Sequence, residues 1–325
     1  MAKVNTTAGQ IGLADLGKTL VHEHVLVGYP GWQLDNRAPE FNRREILPRI
    51  VDAFRMLHDY GVRTVVDPCP MDMGRDVEFC AEVSDKSGIQ LVCTTGVYDE
   101  RMGAAMMFGY METEAIAEIY VREIEDGIGR TGIRAGAVKI ATGGGIVSPF
   151  ERKMITAAAW AAKATGVPII SHTENCTCGH DQIDIVTGEG VPACQLLVGH
   201  SDGRDDPDYQ EALARRGAYV GFDRFGAEII ISDEIRMRNL KALVEKGYRD
   251  RILVSHDRVQ CFLGDKLPGF DSTDALLAVM PNWRMTHLFE NIRPGLAAIG
   301  LPESDFDHIV TENPRRFFGA AAEQG

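Results

Sequence analysis

The stretch TLVHEHVLV at residues 19–27 decides the fold. Leucine, valine and threonine flank a His-x-His pair, the composition of a buried strand. Side chains alternate between the two faces of a strand, so His22 and His24 point one way and Glu23 the other. Four further short apolar runs carry a potential metal ligand: AVKIATGGG (137–145) with Lys139, PIISHTE (168–174) with His172, LLVGHSD (196–202) with His200 and ILVSHD (252–257) with Asp257. A barrel of parallel strands brings such ends to one face.

Working outward, strand-like runs recur near 19–27, 63–68, 90–97, 135–141, 167–173, 196–200, 218–223 and 252–256. Between them lie helix-period stretches such as EILPRIVDAFRMLHDYG (45–61) and ERKMITAAAWAAKATG (151–166). Gly61, Gly166, Gly217 and Gly247 stand where helix C-caps belong. Strands alternating with helices predict an α/β fold with a parallel sheet, and eight strands close. The expectation is a single (β/α)8 TIM barrel spanning residues 1–325, its functional centre at the C-terminal strand ends. Residues 1–17 are expected to form a hairpin-like segment over the barrel floor. Residues 258–282 form a long loop after the last strand and are expected to wall the substrate pocket. Within that loop Phe262, Leu263, Leu267 and Phe270 are candidates to line an apolar channel, with Asp265 and Lys266 outside it. Asp206 before Pro207 marks a helix start, and TENPRRFFGAAAEQG (311–325) predicts another, with Asn313 as cap and Pro314 in the first turn.

Composition narrows the function. The 325 residues are 45% hydrophobic and 25% charged, as in ordinary globular proteins, and carry a formal charge of -13. That charge, with no basic stripe to offset it, opposes binding to nucleic acid or anionic membranes. The first residues, MAKVNTTAGQIGLADLGKT, lack the apolar core of a secretory leader, so a cytoplasmic location is expected. Seven cysteines, an odd number, are expected to be reduced thiols. Cys176 and Cys178 form a Cys-x-Cys pair, but no second pair completes a tetrahedral set, and both are expected to be loop thiols.

Four histidines, a carboxylate and a lysine do not make a structural zinc site. They suit two catalytic divalent ions, with zinc, iron, cobalt and manganese all compatible with such donors. A lone strand histidine is ordinarily a packing residue; the combination at strand ends is what favours metal. Lys139 as an ammonium repels cations. Reaction of its neutral amine with CO2 would give a carbamate able to bridge two ions, and burial near cations favours that neutral form. Spacing alone leaves a salt-bridged lysine equally open. His256 must face away from Asp257 and is expected to pack or to support the ligands rather than bind metal. Trp283 is expected to anchor the helix that follows it, with packing against the apolar channel as the alternative.

The match extends beyond the ligands to LGKTLVHEHV (16–25), GVRTVVD (61–67), GVY (96–98), GFDRFG (221–226), LVSHD (253–257), MPNW (280–283) and NPRRFF (313–318). Over essentially its whole length the chain resembles the phosphotriesterase family of the amidohydrolase superfamily. That resemblance implies a binuclear centre in which His22, His24 and Asp257 hold the more buried ion and His172 and His200 the more exposed one. Carboxylated Lys139 and a hydroxide would lie between them. Tyr98 and Arg224 resemble the pair typical of phosphotriesterase-like lactonases. The implied activity is opening of lactone rings, acyl-homoserine lactones or simpler γ- and δ-lactones. Hydroxide would attack the carbonyl, Asp257 would relay the proton, and phosphotriesterase activity would be a side reaction. A dedicated phosphotriesterase, another ester or amide hydrolase, and a non-catalytic binding relative are the alternatives. The small-molecule partner is a lactone or an organophosphate, and a homodimer is the family expectation. Asp99-Glu100-Arg101 is a charged run where related lactonases often carry apolar residues, which speaks against a long acyl chain unless these are solvated loop residues.

Overall fold

The computed structural model describes residues 2–36, 38, 40–103, 105–264 and 272–321. Leu267, Phe270, Asp265 and Lys266 lie outside the described residues. An antiparallel hairpin, β1 (Lys3–Thr6) and β2 (Gly9–Gly12), precedes the barrel. The following strands are β3 (Lys18–Leu20), β4 (His24–Val27), β5 (Val62–Asp67), β6 (Gln90–Gly96), β7 (Ala137–Thr142), β8 (Ile169–Thr173), β9 (Leu196–Val198), β10 (Tyr219–Phe222), β11 (Ile252–Val254) and β12 (Val259–Phe262). Eight of them pair in parallel in the order β3-β5-β6-β7-β8-β9-β10-β11, with helices in the connections. The barrel is nearly closed. Its seam is held by the His22 amide donating to Ser255 Oγ at 2.9 Å and the Asp257 amide donating to the His22 carbonyl at 3.0 Å. Just above, β4 and β12 pair in parallel.

Strand alternation builds two layers. Val66, Val92, Ala137, Ile170, Leu197, Tyr219 and Leu253 cluster inside the barrel. Their neighbours Val65, Leu91, Val138, Ile169, Val198, Val220 and Val254 belong to the outer core, with helix residues such as Phe54, Ala158 and Leu288. Each fully buried valine or leucine contributes about 1.5–3 kcal/mol. Val4 of the hairpin and Phe317 of the helix Glu303–Gly319 join the inner cluster and so close the floor. This alternation leaves Lys139, between the outward Val138 and Ile140, facing the interior, and carries His172 inward two residues beyond Ile170.

The structure corrects three sequence expectations. The first strand is not continuous over 19–27 but breaks between β3 and β4. Leu20 faces the outer core and Val21 the inner cluster, so the alternation resets before His22. The cause is a change of partner: the backbone of His22 bonds to Ser255 and Asp257, whereas the Glu23 amide bonds to Val66. The sixth and eighth barrel strands end at Val198 and Val254, earlier than their apolar runs suggest. His200 (φ 59°) and Asp257 (φ 53°) follow in the left-handed region. Finally, Asn313 does not cap a helix. It sits buried within Glu303–Gly319 and donates to the carbonyls of Arg249 and Ile252, pinning the helix beneath β11. Among the described residues no helix is long and apolar enough to cross a membrane.

Gly96, at the end of β6, has φ 106°, and a Cβ there would stand 2.0 Å from the Lys139 carbonyl oxygen. Backbone meets backbone, so no rotamer change relieves the clash. Gly96→Ala should therefore lower stability by about 3 kcal/mol or more in urea unfolding. An unchanged midpoint would contradict the close approach of β6 and β7.

Candidate active site

Five elements deliver side chains to the open end of the barrel. His22 and His24 come from the break and the start of β4, Lys139 from β7, His172 from β8, His200 from just beyond β9 and Asp257 from beyond β11. All are buried except Asp257, which is partly exposed towards a cavity of about 320 Å3. The Nε2 atoms of His22, His24 and His200 lie 3.5, 3.3 and 3.8 Å from the Asp257 carboxylate. Ligand atoms of His22, His200 and Asp257 all fall within 4.8 Å of one another. Lys139 Nζ is 3.2 Å from His22 Nε2. His172 stands somewhat apart. Its ring packs 4.6 Å from that of His200, but its nitrogens face the Tyr98 hydroxyl, at 3.2 and 3.4 Å, and Glu174, at 3.3 Å. Glu23 points away, as expected, and accepts the amides of His256 and Arg258 and the His256 Nδ1–H.

Two buried aspartates, absent from the sequence-based site, orient these imidazoles. Asp223, with no solvent exposure, accepts from His22 Nδ1 at 2.9 Å, His200 Nδ1 at 2.9 Å and the His200 amide at 2.8 Å. Gly221 leaves the space for it, since a Cβ there would stand 2.9 Å from Asp223 Oδ2. Asp67 accepts from His24 Nδ1 at 3.1 Å and from the amides of Val25 and Cys69. A carboxylate on Nδ1 fixes the tautomer, so each Nε2 presents a lone pair. Three such lone pairs converging on a carboxylate set acceptors against acceptor, an arrangement that divalent cations between them satisfy. The donor set therefore fits the expected ions.

Among the described residues Lys139 is buried with no carboxylate in ion-pair contact, and burial pushes its amine down to about 8. More of it is neutral near pH 7 than in an exposed lysine, as reaction with CO2 requires. Burial also pushes the His172 imidazole down to about 4, favouring the ligand form. Arg224 Nε donates to Asp257 Oδ2 at 3.1 Å. Its loop is braced from below by the Arg224 amide donating to Asp202, by Arg236 Nε 3.1 Å from the same carboxylate, and by Asp233, which accepts from the Gly226 amide and Arg236. Asp72 accepts the Tyr98 amide with both oxygens and so fixes the turn that carries the tyrosine.

The charged run after Tyr98 does not line the cavity. Asp99 turns into its own loop, where it accepts from the Met102 amide, and Arg101 is exposed. Val27, Met73, Met102, Val259, Phe262 and Leu276 make the wall apolar. Trp283 both lines it and, as expected, anchors: its Nε1 donates to the His256 carbonyl at 2.7 Å. Cys176 and Cys178 are buried, with left-handed backbones, in the loop after β8. Because Asp223 holds two imidazoles at once, Asp223→Asn should weaken metal affinity by about 10–100-fold in chelator competition. Equal affinity in the two proteins would show that the carboxylate is dispensable.

Comparisons with known proteins agree with this geometry. The model of the phosphotriesterase family matches residues 2–318. An aryldialkylphosphatase of Saccharolobus solfataricus is 34% identical over 306 residues, covering 94% of this chain and 95% of that protein. The structure of an organophosphorus hydrolase from Deinococcus radiodurans superposes with a TM-score of 0.92 at 35% identity, covering 98% of this chain and 97% of that one. A mutant of a Deinococcus radiodurans PTE-like lactonase gives 0.91 at 35% identity, covering 97% and 100%. Barrel, histidine cluster and likeness along the whole chain lead to one conclusion: this chain belongs to the phosphotriesterase family, whose members are binuclear metal-dependent hydrolases acting on ester bonds.

Proposed function

We propose that this hydrolase opens lactones bearing an apolar chain and cleaves phosphotriesters more slowly. The observation that carries this assignment is that Tyr98 and Arg224 both line an apolar cavity beside the histidine cluster. The hydroxyl of Tyr98 rests on His172, and the guanidinium of Arg224 bonds Asp257. In this assignment His22, His24 and Asp257 would hold one divalent ion and His172 and His200 the other, with Lys139, once carboxylated, supplying a further oxygen donor. Zinc suits the nitrogen and oxygen donors. The grouping of His22 with His200 and Asp257, whose ligand atoms lie within 4.8 Å of one another, crosses this partition, and Asp223 bonds both of these histidines. When bound, the ions supply Lewis acidity and a water acidified to near neutrality.

The chain's own groups then divide the work. The apolar wall excludes water and seats the acyl chain, while Tyr98 offers its O–H to the lactone. Asp257 takes the proton released as water adds to the carbonyl and returns it to the alkoxide as the ring opens. Arg224 holds that carboxylate ionised and aimed. Phosphotriesters use the same proton acceptor but fill the acyl groove less well. Support also comes from relatives: Deinococcus radiodurans proteins among the similar structures are described as an organophosphorus hydrolase and as a PTE-like lactonase.

A panel of acyl-homoserine lactones, unsubstituted γ- and δ-lactones and an aryl phosphotriester tests the assignment. Long-chain lactones should exceed the phosphotriester in kcat/KM by at least about tenfold, ~1.4 kcal/mol of transition-state stabilisation, and chelation should abolish both activities. Efficient turnover of the phosphotriester alone would overturn the lactone assignment.

A further inference from the structure

A second group of donor atoms lies behind the histidine cluster, sharing His24 and its partner Asp67 with the hydrolytic site and adding a thiol that hydrolysis does not use. Ligand atoms of His24, Asp67 and Cys69, all buried, fall within 4.8 Å of one another. Cys80 Sγ stands 3.7 Å from Asp67 Oδ2, and the Cys93 thiol adjoins Cys80. This group differs in kind from the first, which offers only imidazole, carboxylate and amine. Thiolate sulfur selects soft cations over hard ones, whereas the hydrolytic cluster has no such preference.

Access and connectivity give the group its interest. Cys69 and His24 both line the substrate cavity, so a dissolved cation reaches them without unfolding. His24 faces both groups: its Nε2 lies 3.3 Å from Asp257, and its Nδ1 lies 3.1 Å from Asp67. Among the described residues Cys69 Sγ donates to the carbonyls of Met73 at 3.3 Å and Pro70 at 3.8 Å and contacts His24. We propose that His24, Asp67 and Cys69 form a capture site for a thiophilic cation such as cadmium(II), and that filling it shuts down hydrolysis. Capture forms bonds from the cation to Cys69 Sγ, His24 Nδ1 and an Asp67 oxygen. The thiol proton and the Nδ1 proton leave to solvent, and no electrons are transferred. The Asp67–His24 hydrogen bond is lost, and with it the orientation of Nε2 towards Asp257. The site rests on these three residues and is independent of which ester the enzyme prefers.

Cadmium(II) titrated into the metal-loaded protein tests this, with thiolate-to-cadmium charge-transfer absorbance and ester hydrolysis followed together. The band should rise to saturation while hydrolysis falls along the same curve. Cys69→Ser should lose the band and tolerate at least ~tenfold more cadmium relative to its own cadmium-free rate, whereas Cys176→Ser should behave as wild type. Cadmium-edge X-ray absorption on the wild-type protein, which needs no variant to fold, should show sulfur beside nitrogen and oxygen. Absence of sulfur there, a band that survives Cys69→Ser, or inhibition without a band would overturn the proposal. None of these outcomes alters the lactone panel.

Discussion

The site depends on one buried carboxylate. Asp223 is sealed from solvent and accepts three hydrogen bonds of 2.8–2.9 Å, two of them from the imidazoles of His22 and His200. A carboxylate buried this way is tolerable only while those donors stay in place, and removing a partner from such a pair costs about 3–5 kcal/mol. The constraint therefore works in both directions. The histidines satisfy the charge, and the charge fixes their tautomer and aim. Through them it orders residues from the first strand and from the loop after β9, which lie far apart in sequence.

Local geometry is sacrificed where the functional side chains leave the barrel. His200 and Asp257 adopt left-handed backbones that cost non-glycine residues of order 1–3 kcal/mol each. The first strand breaks at the same level, between Leu20 and His24. The break and the turn at His200 redirect side chains that strict alternation would misplace, since Val21 and Leu197 already face the interior. The surrounding layers, Val66 through Leu253 inside and the helices outside, are regular and over-determine the rim.

The regular part was legible in the sequence and the departures were not. Apolar runs with glycine after each intervening helix specify strands, crossovers and the barrel, because alternation and capping are local rules. His22, His24, Lys139, His172, His200 and Asp257 were legible because ligand-type side chains at strand ends are rare in combination. Asp67 and Asp223 follow the same strand-end rule, but a single aspartate there is indistinguishable in sequence from a helix cap. Asn313 shows the converse: its local sequence resembles a cap, but its tertiary partners, the carbonyls of Arg249 and Ile252, place it mid-helix. The polarity of the substrate wall was also hidden, because whether Asp99 faces the cavity or its own loop depends on the turn geometry.

Two chemistries thus meet at His24, hard donors on its Nε2 side and a thiol on its Nδ1 side. The proposed function requires the strand-end residues to hold a pair of divalent ions with a carboxylated Lys139 among their donors. The most direct test is metal analysis together with native mass spectrometry of the protein grown with added metal. About two ions per chain, and the mass of one CO2 that disappears in Lys139→Ala, is the predicted result. A chain that remains metal-free, or carries no such mass, would contradict it.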